Sequence, residues 1–216
     1  MTTQSDGSQN SDEFPQTFAA LVDLYYDRYK PLYNRIQTFN EMPVELVFEV
    51  AAAWDHLSRH WRFGESEVSC IDKAARHFKR AVFDAYKLLL KHTVDDYEEL
   101  RKIDTSLIDN GNYDRELKQL MAKIRDEAIA ARTAEGDTGG PDGWSRAFAL
   151  WNVVYQQIET FRQDFYLNPH VEWARSKTVE FTAQRRWEGF WIGVASGVVG
   201  GWLLAIATWF LTRFIP

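Results

Sequence analysis

The chain has 216 residues, of which 26% are charged and 45% are hydrophobic, and its formal net charge is -6. This composition is typical of a folded globular domain, and the negative charge argues against a general nucleic-acid binder, which needs a basic face. Cys70 is the only cysteine, so the chain can form neither an intrachain disulfide nor a cysteine-based metal cluster. We therefore expect the folded part to lie in a reducing compartment, the cytoplasm.

The N-terminal stretch is polar. Residues 1–12 contain no apolar run, which predicts that no signal peptide directs this end out of the cytoplasm. Residues 1–14 are expected to be disordered, and residues 15–184 to form a cytoplasmic domain.

Apolar residues recur at helical spacing along that domain. A first helix is predicted at residues 15–39, with a kink near Lys30 because Pro31 falls inside it. A second helix at 43–62 is closed by Gly64, since glycine suits a C-terminal cap. Its apolar stripe consists of Val47, Val50, Trp54, Leu57 and Trp61.

Further helical segments follow in chain order, at residues 66–92, 94–107, 113–135 and 144–167 and from His170 onward. An Asp-Asn-Gly-Asn break precedes the third of these segments, and a glycine-rich loop precedes the fourth. No run predicts a strand, and short loops make successive helices antiparallel neighbours. The sequence therefore predicts an all-α fold, an antiparallel bundle of five or six helices.

The C-terminal segment, residues 185–216, has the pattern of a membrane anchor. Residues 189–212 include no charged side chain, and as a helix they would span roughly 36 Å, enough for a bilayer core. Arg185 and Arg186 precede them, which by the positive-inside rule faces the bundle to the cytoplasm. We predict a tail-anchored, single-pass protein of the cell inner membrane whose C-terminal transmembrane helix follows the bundle.

Small residues recur every four positions within this segment, at Gly189, Gly193, Gly197, Gly201 and Ala205. That spacing keeps them close to one helix face, where a second helix can approach closely. The row predicts a homo-oligomer formed through the membrane helix. Two alternatives stay open: the partner is another protein's helix, or the glycines only reflect their frequency in membrane helices.

The pair of His-x-x-Arg motifs is the one chemical constellation in the chain. His56 and Arg59 lie on the second helix, and His77 and Arg80 on the third, each pair three residues apart and so neighbouring on its helix. Polar rows extend both motifs, and antiparallel helices bring these rows together. The rows comprise Glu45, Glu49, His56 and Arg59 on one helix, and Lys73, His77, Arg80, Asp84 and Lys87 on the other.

Three roles are open for these residues. In the first, Glu49 and Asp84 neutralise Arg59 and Arg80 in a structural network that the histidines bridge. In the second, the two arginines clamp an anionic ligand. In the third, the two histidines exchange protons with a substrate. No catalytic residue is assigned, and no metal or cofactor is expected, because phosphate-loop, zinc-helix, nucleophile-elbow and dinucleotide motifs are all missing.

A segment of the bundle, from about residue 45 to 90, resembles HEPN-related helical domains of uncharacterised bacterial defence-associated membrane proteins. The resemblance rests on the stretches FEVAAAWDHLSRHW and IDKAARHFKRAVFDAYKLLL. The resemblance implies a role in phage defence or stress and supplies no catalytic residues. The HEPN ribonuclease signature places four to six residues between an arginine and a histidine. Arg162 and His170 have seven between them and Arg80 and His92 have eleven, so nuclease activity of this type is disfavoured.

These observations support three hypotheses of function. The first is a non-enzymatic effector or scaffold that self-associates in the bilayer and acts by perturbing the membrane. The second is a membrane-tethered enzyme or anionic-ligand sensor that uses the paired motifs. The third is a passive adaptor that holds a soluble partner, such as a protein encoded nearby, at the membrane.

Overall fold

The computed structural model describes residues 14–136 and 141–214, with side chains described except at positions 107, 141–143, 183, 185–186, 189, 195 and 197–214. The described residues form helices joined by short turns, with no strand among them, which confirms the all-α prediction. The predicted disorder of residues 1–14 falls outside this part except at Phe14, whose ring packs edge-on against Trp144 with 6.0 Å between centroids.

The first predicted helix consists of three consecutive segments. α1 (Phe18–Leu24) runs into a π-helical turn (Tyr25–Tyr29), and α2 (Lys30–Gln37) begins one residue before Pro31. A proline has no N–H to donate, and its ring clashes with the carbonyl four residues earlier. The wider π turn relieves this clash. The predicted break near Lys30 is therefore confirmed, in the form of a π turn.

α3 (Val44–Phe63) and α4 (Glu67–Leu100) form a tight antiparallel hairpin. Gly64 ends α3 in the left-handed conformation, with φ 70°, and its N–H donates to the carbonyl of His60 at 3.1 Å. Such a cap satisfies carbonyls that a helix end would otherwise leave unpaired. The predicted glycine cap is confirmed, and it sets α3 directly against α4.

α4 is longer than predicted. The predicted end near His92 is wrong, because the helix is 34 residues long and ends at Leu100. Thr93 is buried, and its hydroxyl donates to the carbonyl of Leu89 at 2.9 Å. Leu100 is fully buried. Both residues hold the acidic stretch against the bundle and so extend the helix.

The chain then reverses through two short 3₁₀ turns into α5 (Asn112–Gly136). The predicted break is confirmed, since Asp109, Asn110 and Gly111 all adopt positive φ angles. α6 (Pro141–Thr160) packs against α5 and continues into a second π turn, Phe161–Tyr166.

One aromatic-rich core lies between these helices. Trp144, Phe148, Trp151 and Phe161 on the α6 side pack towards Phe78 and Val82 of α4, and each of these six side chains is at most 1% exposed. The burial of large aromatic rings supplies most of the hydrophobic stabilisation of such a bundle.

α7 (Pro169–Phe214) is one 46-residue helix that begins in the bundle and leaves it. Val171 and Ala174 are buried, and the hydroxyl of Thr178 accepts a hydrogen bond from the N–H of Asp104 at 3.0 Å. From Val179 onward, every side chain that the structure describes is exposed. The helix predicted from His170 onward is confirmed, and it continues into the C-terminal segment.

Among the described residues, no helix is long and apolar enough to span a bilayer. Most of the predicted transmembrane segment has side chains that lie outside the described part, because those from position 197 onward are not described. The transmembrane helix therefore stays a prediction.

Candidate functional site

The α3–α4 hairpin brings together several of the residues singled out by the paired motifs. The rings of His56 and His77 are stacked, with 5.1 Å between centroids and 29° between planes. Gly64 makes this possible, since its left-handed cap folds α4 back along α3 within a few residues. The expected meeting of the two polar rows therefore takes place at the histidines.

Glu49 is the centre of the cluster. One carboxylate oxygen, Oε2, lies 2.7 Å from Nδ1 of His77 and 3.2 Å from Nε of Arg80. A carboxylate only accepts hydrogen bonds, so the shorter contact requires that Nδ1 of His77 carries the hydrogen. Nη2 of Arg80 also lies 2.9 Å from that nitrogen, but the charge-assisted bonds to Glu49 are the stronger ones. Glu49 thus joins α3 to α4 through two side chains.

Arg59 lies outside the trio formed by Glu49, His77 and Arg80. Its Nε donates to Oδ2 of Asp55 at 3.0 Å, and its Nη1 lies 3.7 Å from Oε1 of Glu65. Glu65 also lies 3.9 Å from Nζ of Lys73. These partners form a separate surface cluster at the hairpin turn, and Asp55 rather than a residue of α4 neutralises Arg59.

Asp84 belongs to a third group. Its carboxylate accepts from Lys87 at 3.1 Å, and Lys87 also lies 2.9 Å from Glu135 of α5. Glu135 in turn accepts from the indole N–H of Trp151 on α6. The expectation that Asp84 neutralises one of the arginines is therefore wrong. A spacing of four residues from Arg80 places Asp84 near the same face, but its carboxylate pairs with Lys87, which also contacts Glu135 of α5.

His56 is held mainly by packing. Its Nδ1 is buried and has no hydrogen-bond partner within the described residues. Burial lowers the pKa of His56, and the positive charges of His77, Lys73 and Arg59 lower it further, against the opposing effect of Asp55. His56 therefore takes up a proton less readily than an exposed histidine does.

The cations of the paired motifs are occupied by carboxylates of the same chain. Arg80 is held by Glu49 and Arg59 by Asp55, so neither guanidinium presents a free fork to an anion. Within the described residues, no three histidine, cysteine or acidic side chains are placed to hold a metal ion. The geometry corresponds to the first of the three roles only in part, since Glu49, His77 and Arg80 tie α3 to α4 whereas Arg59 and Asp84 belong to other groups.

Three contacts had no signal in the sequence. Arg35 of α2 forms a bidentate pair with Glu159 of α6, at 3.1 and 3.3 Å, although 124 positions separate them. The ring of His92 stacks on Phe39 at 4.1 Å, and its Nε2 lies 2.8 Å from Glu41. The first contact joins α2 to α6, and the other two join the segment after α2 to α4. Only the assembled fold brings these residues together.

The small-residue row falls mostly outside the described side chains, which include Gly193 but not Gly189, Gly197, Gly201 or Ala205. A Cβ added at Gly193 would meet no atom within 4 Å. At this position the helix is therefore open to a neighbour, and the row as a whole stays a prediction.

Comparison of this chain with protein-family models, with curated proteins and with solved structures gave no match. The resemblance of residues 45–90 to HEPN-related helical domains therefore stays a prediction.

Proposed function

We propose that this protein is a non-enzymatic scaffold that holds its helical bundle at a membrane surface and self-associates through α7. The observation that carries the proposal is the exposed apolar surface of α7 beyond the bundle. The side chains concerned are 41–69% exposed and comprise Val179, Phe181, Trp187, Phe190, Trp191, Ile192 and Val194.

Such a surface is unfavourable in water, at about 25 cal/mol for each Å² of apolar area. It needs a lipid or a helix as its surroundings. The rings of Trp187, Phe190 and Trp191 contact one another, with centroids 5.7 to 6.0 Å apart. Aromatic rings of this kind concentrate at the boundary between headgroups and hydrocarbon. They lie at the start of the uncharged sequence and follow Arg185 and Arg186, the order expected for an anchor that enters from the cytoplasm.

Self-association is supported by the small residues of the same helix. Gly193 is open to solvent in the isolated chain, and Gly197 and Gly201 repeat its spacing of four. Helices in lipid associate through close packing along such rows, because lipid provides no hydrophobic drive between them. Both guanidinium groups of the paired motifs are held by carboxylates of the same chain, which favours a structural network over a ligand site there.

The scaffold proposal is tested by filling the row. Gly193→Leu with Gly197→Leu adds two bulky side chains to the proposed contact face, so the oligomer seen by chemical crosslinking in membranes should fall to monomer. The matched control is Ala195→Leu with Val199→Leu, which places the same side chains on the opposite side of the helix and should leave the oligomer intact. Crosslinked species of unchanged size in the first variant would remove self-association from the proposal.

A further inference from the structure

A shallow apolar groove runs along the outer surface of the bundle between α4 and α5. Its floor is formed by buried Ile124 and Ala128, and Val94 and Ile129 stand in it at 40% and 58% exposure. Leu90, Val94 and Tyr97 follow one another on α4 at spacings of four and three, so they form a continuous stripe along one wall.

The other wall carries two exposed arginines. Arg125, Ile129 and Arg132 repeat the same spacing on α5, and all three are exposed. Neither arginine contacts a carboxylate within the described part of the chain, although acidic residues outnumber basic ones by 31 to 25. Glu98 lies on the opposite rim and is already bound by Arg101 at 3.1 Å. The α5 rim is thus positive and unneutralised.

From this charge and spacing we infer that the α4–α5 groove binds an amphipathic helix of a partner protein, with acidic residues seven positions apart on both sides of an apolar anchor. Arg125 and Arg132 are separated by seven residues, about 10 Å along α5. Two carboxylates seven residues apart on a helix lying alongside match that distance. The apolar stripe between them receives the partner's apolar face, as in other helix-in-groove complexes.

The size of the cavity favours a helix over a free small molecule. It measures about 170 Å³, whereas pockets for small ligands are usually about 300–1,000 Å³. A space of this size suits one large anchoring side chain, with the rest of the partner lying along the surface.

The test uses the full chain in phosphatidylcholine nanodiscs and a designed fluorescent helical peptide. The peptide carries a central leucine face with glutamates at the two matching positions, and a second peptide has lysines there instead. Fluorescence anisotropy should show the glutamate peptide binding to the wild-type chain. Arg125→Glu with Arg132→Glu should weaken it about tenfold or more, the equivalent of two modest ion pairs, and the same variant should gain binding of the lysine peptide.

Arg115→Glu with Arg146→Glu is the matched control, because it changes the charge equally at two exposed arginines outside the groove. It should bind the glutamate peptide as the wild type does. The proposal is overturned if both double variants weaken binding equally, if the lysine peptide gains nothing, or if oleate binds the groove with arginine dependence while neither peptide does. The last result would assign the groove to a fatty acyl anion.

Discussion

One oxygen of Glu49 holds two partners from the facing helix. Its contacts with His77 and Arg80 lie at 2.7 and 3.2 Å, and the side chains of Glu49 and His77 are only 24% and 20% exposed. Partial burial strengthens such bonds relative to pairs in open water. Arg80 is 56% exposed, so its share is screened by solvent. The trio therefore acts as a modest structural link between α3 and α4.

Glu49→Gln should lower the free energy of unfolding by about 1 kcal/mol, because it removes the charge that both partners share. Urea denaturation monitored by circular dichroism measures the change. Glu45→Gln is the control, since Glu45 is exposed on the same helix. Equal stability of the two variants would mean that the trio contributes nothing to the fold.

His56 predicts a dependence of stability on pH. Burial and neighbouring cations lower the pKa of His56, so its imidazole binds a proton less readily in the folded chain than in the unfolded chain. Histidines of an unfolded chain titrate at about pH 6.5. Below that pH the unfolded state therefore binds more protons, and the contribution of His56 to stability becomes unfavourable.

His56→Gln should accordingly lose less stability than the wild type between about pH 7.5 and about pH 5.5. Urea midpoints at the two pH values give the comparison directly. Identical losses in both proteins would show that His56 titrates alike in the folded and unfolded chains.

Among the helices, the ends and breaks set by a single glycine or proline were the features that the sequence predicted best. Gly64 and Pro31 determine a cap and a break through backbone chemistry that is local to the sequence. The length of α4 was mispredicted, because burial of Leu100 depends on helices distant in sequence. Trp54 and Trp61 were expected in an apolar stripe but are 45% and 63% exposed, since periodicity identifies a face without telling whether a neighbour covers all of it.

The candidate site was predictable to a similar extent. Helical spacing placed His56 near His77, because both lie on faces of one hairpin. It did not predict that Asp84 pairs with Lys87, which also contacts Glu135, and it gave no sign of the pair between Arg35 and Glu159. Both depend on α5 or α6 packing against earlier helices, a long-range arrangement that residue spacing does not encode.

Gly64→Ala should destabilise the hairpin by about 1 kcal/mol, because an alanine is strained at φ 70° even though no atom lies within 4 Å of its Cβ. Gly136→Ala is the matched control: that site is equally open but has no positive φ, so no loss is expected there. Thermal melting of the two variants separates strain from crowding. A loss of the same size at both positions would contradict the role given to the cap.

At the scale of the whole molecule, the bundle and the far part of α7 have opposite surroundings. Packing on the bundle ends near Thr178, and the described side chains beyond it are exposed and rich in aromatic and aliphatic groups. A helix that continues out of the bundle with exposed apolar side chains suits a stalk that leads into a bilayer, with the α4–α5 groove left accessible on the bundle. In this account the bundle recruits, and α7 holds and assembles.

The membrane anchor is the central claim, and cysteine accessibility tests it most directly. Cys70 is the only cysteine and is buried, so Cys70→Ala gives a background for single cysteines at Ser176 and Ser196, both exposed positions of α7. In membrane fragments whose two sides are both accessible to reagent and whose bilayer is undissolved, a water-soluble maleimide should label Ser176→Cys rapidly. It should leave Ser196→Cys unlabelled until the membranes are dissolved in denaturing detergent, because a bilayer excludes the reagent. Equally rapid labelling of both positions in intact membranes would contradict the account.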